Sequence, residues 1–239
     1  MKEMIKLLNK APKISDYINT SYNYNGIPVP RVTEIISKCI ANESLMYWAN
    51  SLGFKHKSYK KTLEEAANIG TQCHNTIDEF INTNDDFTNK INNQQSMNAY
   101  NSFLKWWNDI NSNNKVKVIM NEHQLVCPFF GGTLDGLYEI NSKLYLVDYK
   151  TSNHVTFRYC LQLAAYRYIL RTELGINIDG CIILQLSKND ISYNECLLDL
   201  SNPEHANYLN NCEFTFLSMV NSYYNILNVE NNYNILGWR

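Results

Sequence analysis

Between residues 117 and 150 the chain carries three apolar, β-prone runs, and only Asn141-Ser142 separates the last two. The runs are 117–127, 132–140 and 143–150, with Val, Ile, Leu, Tyr and Phe recurring through them. Their length and composition favour strands over a buried helix. A polar two-residue link between such runs makes a tight hairpin. A helix is expected over 156–174, ended by Gly175. Two more strands follow at 181–186 and 192–198, parted by the turn Lys188-Asn189-Asp190, and then a helix over 203–228.

The first half has a different character. Residues 1–30 read as a short helix and then a polar loop at 21–30, rich in Tyr, Asn, Gly and Pro. Val32-Thr33-Glu34-Ile35-Ile36 reads as a helix start, with Thr33 as N-cap. Helical patterns continue through Leu45-Met46-Tyr47-Trp48 and over 63–81. An amphipathic helix over 97–110 sets Tyr100, Phe103, Leu104 and Trp107 at helical spacing. Neither a repeat nor a linker interrupts the chain. We therefore expect a single α/β domain over 1–239: a mainly helical part at 1–114, an α/β core at 115–200 and a C-terminal helix at 201–239. With 239 residues, 45% of them hydrophobic, the chain can bury a substantial core.

Charge carries no easy functional signature. Net charge is −2, so no basic domain announces a nucleic-acid binder. Bound divalent metals and a local basic patch can still supply the attraction. The seven cysteines are dispersed, odd in number and never form C-x-x-C, which argues against a zinc ribbon or a disulfide framework. They read as reduced, buried small hydrophobes. Residues 1–13 are basic and weakly apolar, unlike a secretory signal. No run approaches the roughly 20 apolar residues of a membrane span. The expectation is a soluble, cytoplasmic protein with no membrane partner. The strong Asn and Tyr bias with few Arg fits AT-rich coding and makes a phage origin, hence a host cytoplasm, a natural source.

Two carboxylates fall near strand ends of the expected hairpin: Asp135 in Gly132-Thr133-Leu134-Asp135, and Asp148 in Leu146-Val147-Asp148-Tyr149-Lys150. Packed near a sheet they repel unless a cation lies between them. A divalent metal with oxygen ligands answers that need. Lys150 stands two residues after Asp148, so on a strand it projects from the same face. Tyr149 points away and offers its backbone carbonyl. Metals beside such a lysine suit phosphodiester hydrolysis, because the metal lowers the pKa of water and the lysine orients it or stabilises developing charge. On the following helix Gln162 and Tyr166 stand at i and i+4, on one face. Upstream, His74 lies three and seven residues before Ile77 and Ile81 and points inward, either as a core residue or as a metal ligand.

Gly-x-x-Asp, Asp-x-Lys after a hairpin, Gln-x-x-x-Tyr on a helix, and an upstream Gly70-Thr71-Gln72-Cys73-His74 together resemble the PD-(D/E)XK nuclease superfamily. The similarity is to the branch holding the RecB nuclease domain and related phage exonucleases, and it spans roughly residues 66–187. It implies a restriction-endonuclease-like core, a mixed central β-sheet flanked by helices, with helical additions at both ends. It implies Mg²⁺ or Mn²⁺ held by His74, Asp135, Asp148 and the Tyr149 carbonyl. Lys150 would be the catalytic lysine, with Gln162 and Tyr166 supporting the site and contacting DNA. Leu134 stands where the motif has proline. The cysteine spacing does not fit the iron–sulfur members.

The resemblance implies a DNA exonuclease acting on linear ends in recombination, repair or processing, as an oligomer or with a helicase or recombination protein. The alternatives are a structure-specific or restriction-like endonuclease and a nucleic-acid-binding subunit active only with a partner. Among other features, Glu122 reads as a solvated strand-edge acid rather than an outer-shell one. Lys55, His56, Lys57, Lys60 and Lys61 form a basic stretch, either solvated or phosphate-contacting. Trp48, Trp106, Trp107 and Tyr47 read mainly as core, with base stacking as the alternative. Arg158, Arg167 and Arg171 are expected along the DNA path, and His154 in a loop near the site.

Overall fold

A computed structural model describes residues 18, 20–41 and 43–232. The short helix expected ahead of the loop at 21–30 falls in a stretch of which only residues 18 and 20 are described. The elements run β1 (Asn23–Tyr24), β2 (Ile27–Pro28), α1 (Val32–Cys39), α2 (Glu43–Phe54), α3 (Tyr59–Thr83), α4 (Gln94–Asn113), β3 (Val116–Cys127), β4 (Phe130–Ile140), β5 (Lys143–Lys150), α5 (Phe157–Glu173), β6 (Gly180–Leu186), β7 (Tyr193–Asp199) and α6 (Pro203–Asn232).

The five long strands form one mixed sheet in the order β3-β4-β5-β6-β7. Every neighbouring pair is antiparallel except β5 and β6, which are parallel. A parallel pair needs a crossover, and α5 supplies it. Asn141 and Ser142 both take positive φ, +52° and +66°, as a two-residue hairpin closing Ile140 against Lys143 requires. Gly175, at φ +67°, ends α5 where a side chain would be strained.

Each sheet face has its own core. On one side Leu137 and Leu146 pack with Val32 and Ile35 of α1, Leu163 and Ile169 of α5, and Phe216 of α6. On the other, Tyr138, Val147 and Tyr149 pack with Cys73 and Ile77 of α3 and with Tyr100, Phe103 and Trp106 of α4. Trp106 is fully buried and its indole N–H donates to Glu195 Oε2 at 2.8 Å, so its polar end is satisfied. The α/β architecture with a helix-flanked mixed sheet is therefore present.

Two local expectations are corrected. Residues 21–30 are not all loop: β1 and β2 form a small hairpin there, turned by Asn25 and Gly26 at positive φ. Thr33 is not the N-cap of α1. Arg31 holds that position in extended conformation, because its backbone bridges Gly131 of β4, and the helix begins at Val32. Among the described residues no helix is long and apolar enough to cross a membrane. The seven cysteines are free thiols, five of them buried.

Candidate metal centre

The β4–β5 ladder ends at the pair Gly136 and Val147. Asp135 and Asp148 are the next residues outward, and both are buried, 8% and 1% exposed. The Tyr149 N–H donates to Asp135 Oδ2 at 2.7 Å. Lys150 Nζ donates to Asp148 Oδ1 at 2.7 Å and to Gln162 Oε1 at 3.4 Å. Gln162 in turn donates from Nε2 to the Tyr166 hydroxyl at 3.1 Å. One polar chain thus runs from β5 to α5 through Asp148, Lys150, Gln162 and Tyr166. The ammonium also lies 4.9 Å from the Tyr159 ring centre.

His74 enters from α3. Its Nδ1 lies 3.4 Å from Asp135 Oδ1 and 3.4 Å from Glu122 Oε1, and its ring meets Tyr149 edge-on. Asn121 Nδ2 donates to Asp78 Oδ1 at 2.5 Å, fixing β3 against α3 one helical turn beyond His74. Glu122 stands across from Asp135, between the register pairs Asn121–Gly136 and His123–Leu134. Its φ of +42° is unusual for a residue with a Cβ and marks a locally strained backbone. The ligand atoms of His74, Glu122 and Asp135 all lie within 4.8 Å of one another.

The electrostatics suit a cation. Burial pushes the Asp148 carboxyl up, Asp135 adds to it and Lys150 pulls it back, leaving it near 6. Burial also opposes ionisation of Asp135, but His74 and Lys150 outweigh it and hold it below the usual carboxylate range. Burial works against charge on His74, yet Asp135 beside it raises it to about 10. Lys150 is raised as well: burial opposes its charge, and Asp148 and Asp135 overcome that. Asp148 Oδ2 is buried with no hydrogen-bond partner, and buried Glu122 Oε1 has only the long 3.4 Å approach of His74 Nδ1. Buried carboxylate oxygens without donors are costly, and a divalent ion would satisfy them. The residues present therefore fit such an ion, with one imidazole and two carboxylates converging and a third carboxylate alongside.

The structure brings together His74, Asp135, Asp148, Lys150, Gln162 and Tyr166, the residues singled out from the sequence. The Tyr149 side chain turns to the opposite face and bonds the Tyr138 hydroxyl. Asp148 stands beside the His74–Glu122–Asp135 cluster and is engaged by Lys150. Glu122 is the residue that sequence reasoning set aside. β3 is the edge strand of the sheet, but Glu122 Oε1 is buried against His74 of α3 and not solvated. What buries it is α3, a distant segment whose arrival strand patterning does not announce.

The arginines of α5 are corrected too. Arg167 and Arg171 bind Glu213 of α6, at 3.7 and 2.6 Å, and Arg158 donates to the Ile40 carbonyl at 3.1 Å. Their guanidinium groups are engaged in contacts that hold α5 to its neighbouring helices. Lys55, His56, Lys57, Lys60 and Lys61 are exposed around the α2–α3 junction, and His154 is exposed after β5.

No family model matches this chain, and no curated protein matches it. Among solved structures, one described as the crystal structure of SSO0001 is similar at 13% identity, over 91% of this chain and 86% of that one, with a TM-score of 0.34. A likeness that weak carries no argument about fold family or site.

Proposed function

We propose that the chain is a metal-dependent nuclease with a restriction-endonuclease-like core, hydrolysing phosphodiester bonds of DNA. The observation that carries this reading is the meeting of His74, Glu122 and Asp135 with the Asp148–Lys150 pair at one end of the β4–β5 hairpin. Mg²⁺ or Mn²⁺ would be held by His74, Asp135 and Glu122, with Asp148 and the Tyr149 carbonyl as further oxygen donors. Such an ion supplies charge neutralisation at the phosphoryl oxygens and a lowered pKa for water.

The chain's own residues do the rest. Asp148 and Gln162 fix the Lys150 ammonium in place, so its protons face the centre at a set position. There it orients the attacking water or stabilises developing negative charge. Tyr166 holds Gln162 from below. The preferred activity is exonucleolytic, on linear DNA in recombination, repair or processing. A structure-specific or restriction-like endonuclease uses the same residues. Incubating linear and supercoiled circular DNA with the chain and Mn²⁺ or Mg²⁺ tests this reading. Loss of linear DNA alone supports an exonuclease, nicking of the circle an endonuclease, and no cleavage of either refutes autonomous hydrolysis.

A second reading is a subunit that needs a helicase or recombination protein. Met46, Tyr47 and Phe54 of α2 favour it, being 67%, 76% and 81% exposed, an apolar face that a partner would cover. Activity gained only on adding a partner would select this reading.

A further inference from the structure

One strand along the sheet from Lys150, a cavity of about 280 Å³ opens at the end of β6 and β7. Ser152 and Asn153 line it from the segment after β5, Ser187 and Lys188 from the β6–β7 turn, and Tyr193 and Asn194 from the start of β7. No aspartate or glutamate lines it. Lys188 makes no ion pair among the described residues, and burial pulls its ammonium below the ordinary lysine value. The side-chain amides of Asn153 and Asn194 are likewise without hydrogen bonds among the described residues.

The walls are held by the fold. Gln185 Nε2 donates to the Ser152 carbonyl at 2.8 Å, tying the loop to β6. Asn98 of α4 donates to the Lys188 carbonyl at 2.9 Å, and the Ser192 N–H donates to Ser102 Oγ of α4 at 3.0 Å. The cavity is thus formed before any ligand arrives, which lowers the cost of binding. It also adjoins the metal centre. Gln185 is the register partner of Lys150, and partners on neighbouring strands lie about 4.8 Å apart.

Resting on the nuclease reading of the centre, we propose that this cavity is a nucleotide subsite for the strand being cut. It takes one phosphate against Lys188 and the attached base against Asn153, Asn194 and Tyr193. An unpaired cation in an acid-free pocket selects an anion. Free amides carry both donors and acceptors, as base edges do. The volume lies just under the ~300–1,000 Å³ range of ligand pockets, so it admits a single unpaired nucleotide and not a duplex. The site therefore draws a single strand, or a frayed end, across Lys150.

The same chemistry is offered by a free mononucleotide, and the experiment separates the two. Binding of a fluorescent single-stranded oligonucleotide to the full chain is measured in EDTA, where hydrolysis plays no part, with dAMP as competitor. Lys188→Gln is expected to weaken binding about tenfold and to reduce the salt slope by about 0.7, one phosphate contact. Asn194→Leu is expected to weaken binding about threefold without changing the slope. Unchanged melting temperatures show that both variants fold. Equal affinity in both variants overturns the subsite while leaving the metal centre, tested by hydrolysis, untouched. No oligonucleotide binding by the unsubstituted chain overturns it too. Lys188-dependent binding of dAMP alone overturns the strand as the source.

Discussion

Gly132 lies flush against the ring of Tyr166: a Cβ at position 132 would stand 2.5 Å from Tyr166 Cε1 and 2.7 Å from its hydroxyl. Tyr166 is buried and its hydroxyl accepts from Gln162, so the ring cannot swing aside without disturbing the support of Lys150. Gly132→Ala is expected to destabilise the fold by roughly 1–3 kcal/mol, as overpacking does. Combined with Tyr166→Val, the loss should fall short of the sum of the singles. Urea denaturation of the three variants checks both statements.

Glu122 should behave as a metal ligand and not as a surface acid. Glu122→Gln, His74→Ala and Asp135→Asn are each expected to weaken Mn²⁺ binding at least tenfold, read by titration calorimetry. Unchanged affinity in Glu122→Gln would remove it from the centre.

The β4–β5 hairpin is legible because a two-residue turn fixes its register, so Asp135, Asp148 and Lys150 fall together by counting. Glu122 escaped because it lies on the edge strand, and what covers it is His74 of α3, a contact between distant segments. Arg167 and Arg171 escaped for the same reason. Their partner Glu213 lies over 40 residues away on α6, and periodicity says which face a residue occupies but not what arrives to cover it. Thr33 lost its capping role to a backbone bridge from Arg31 to Gly131, again a contact between distant segments.

Without metal, stability should fall as pH rises across neutrality. The folded-state value of His74 lies near 10, above its ordinary 6.5. Its contribution is therefore complete below about pH 6.5 and is lost as pH climbs toward 10. Asp148, raised to about 6, acts in the same direction between about pH 4 and 6, because the folded state holds its proton more tightly. Asp135 is depressed, so its contribution is present above about pH 4 and is lost on further acidification. Urea midpoints in EDTA should drop from pH 5 to 7 and again to 9. His74→Ala should remove most of the second drop. A rise between pH 7 and 9 would contradict this.

Lys150 is also a structural charge. Removing it leaves Asp148 buried and uncompensated, which typically costs about 3–5 kcal/mol. Lys150→Ala should be markedly less stable than Lys150→Ala with Asp148→Asn, measured by thermal melting. Arg171→Ala should lose some stability through Glu213 but leave the salt dependence of DNA binding unchanged.

The central claim is that the Asp148–Lys150 pair beside the His74–Glu122–Asp135 cluster is a hydrolytic centre. Its most direct test is hydrolysis of end-labelled linear DNA, single- and double-stranded, with Mn²⁺, Mg²⁺ or EDTA, for the chain, Lys150→Ala and Asp148→Ala. Metal-dependent release of short products, abolished in both variants, is the predicted result. Inertness in every metal, or variants that cut as well as the unsubstituted chain, would contradict the account.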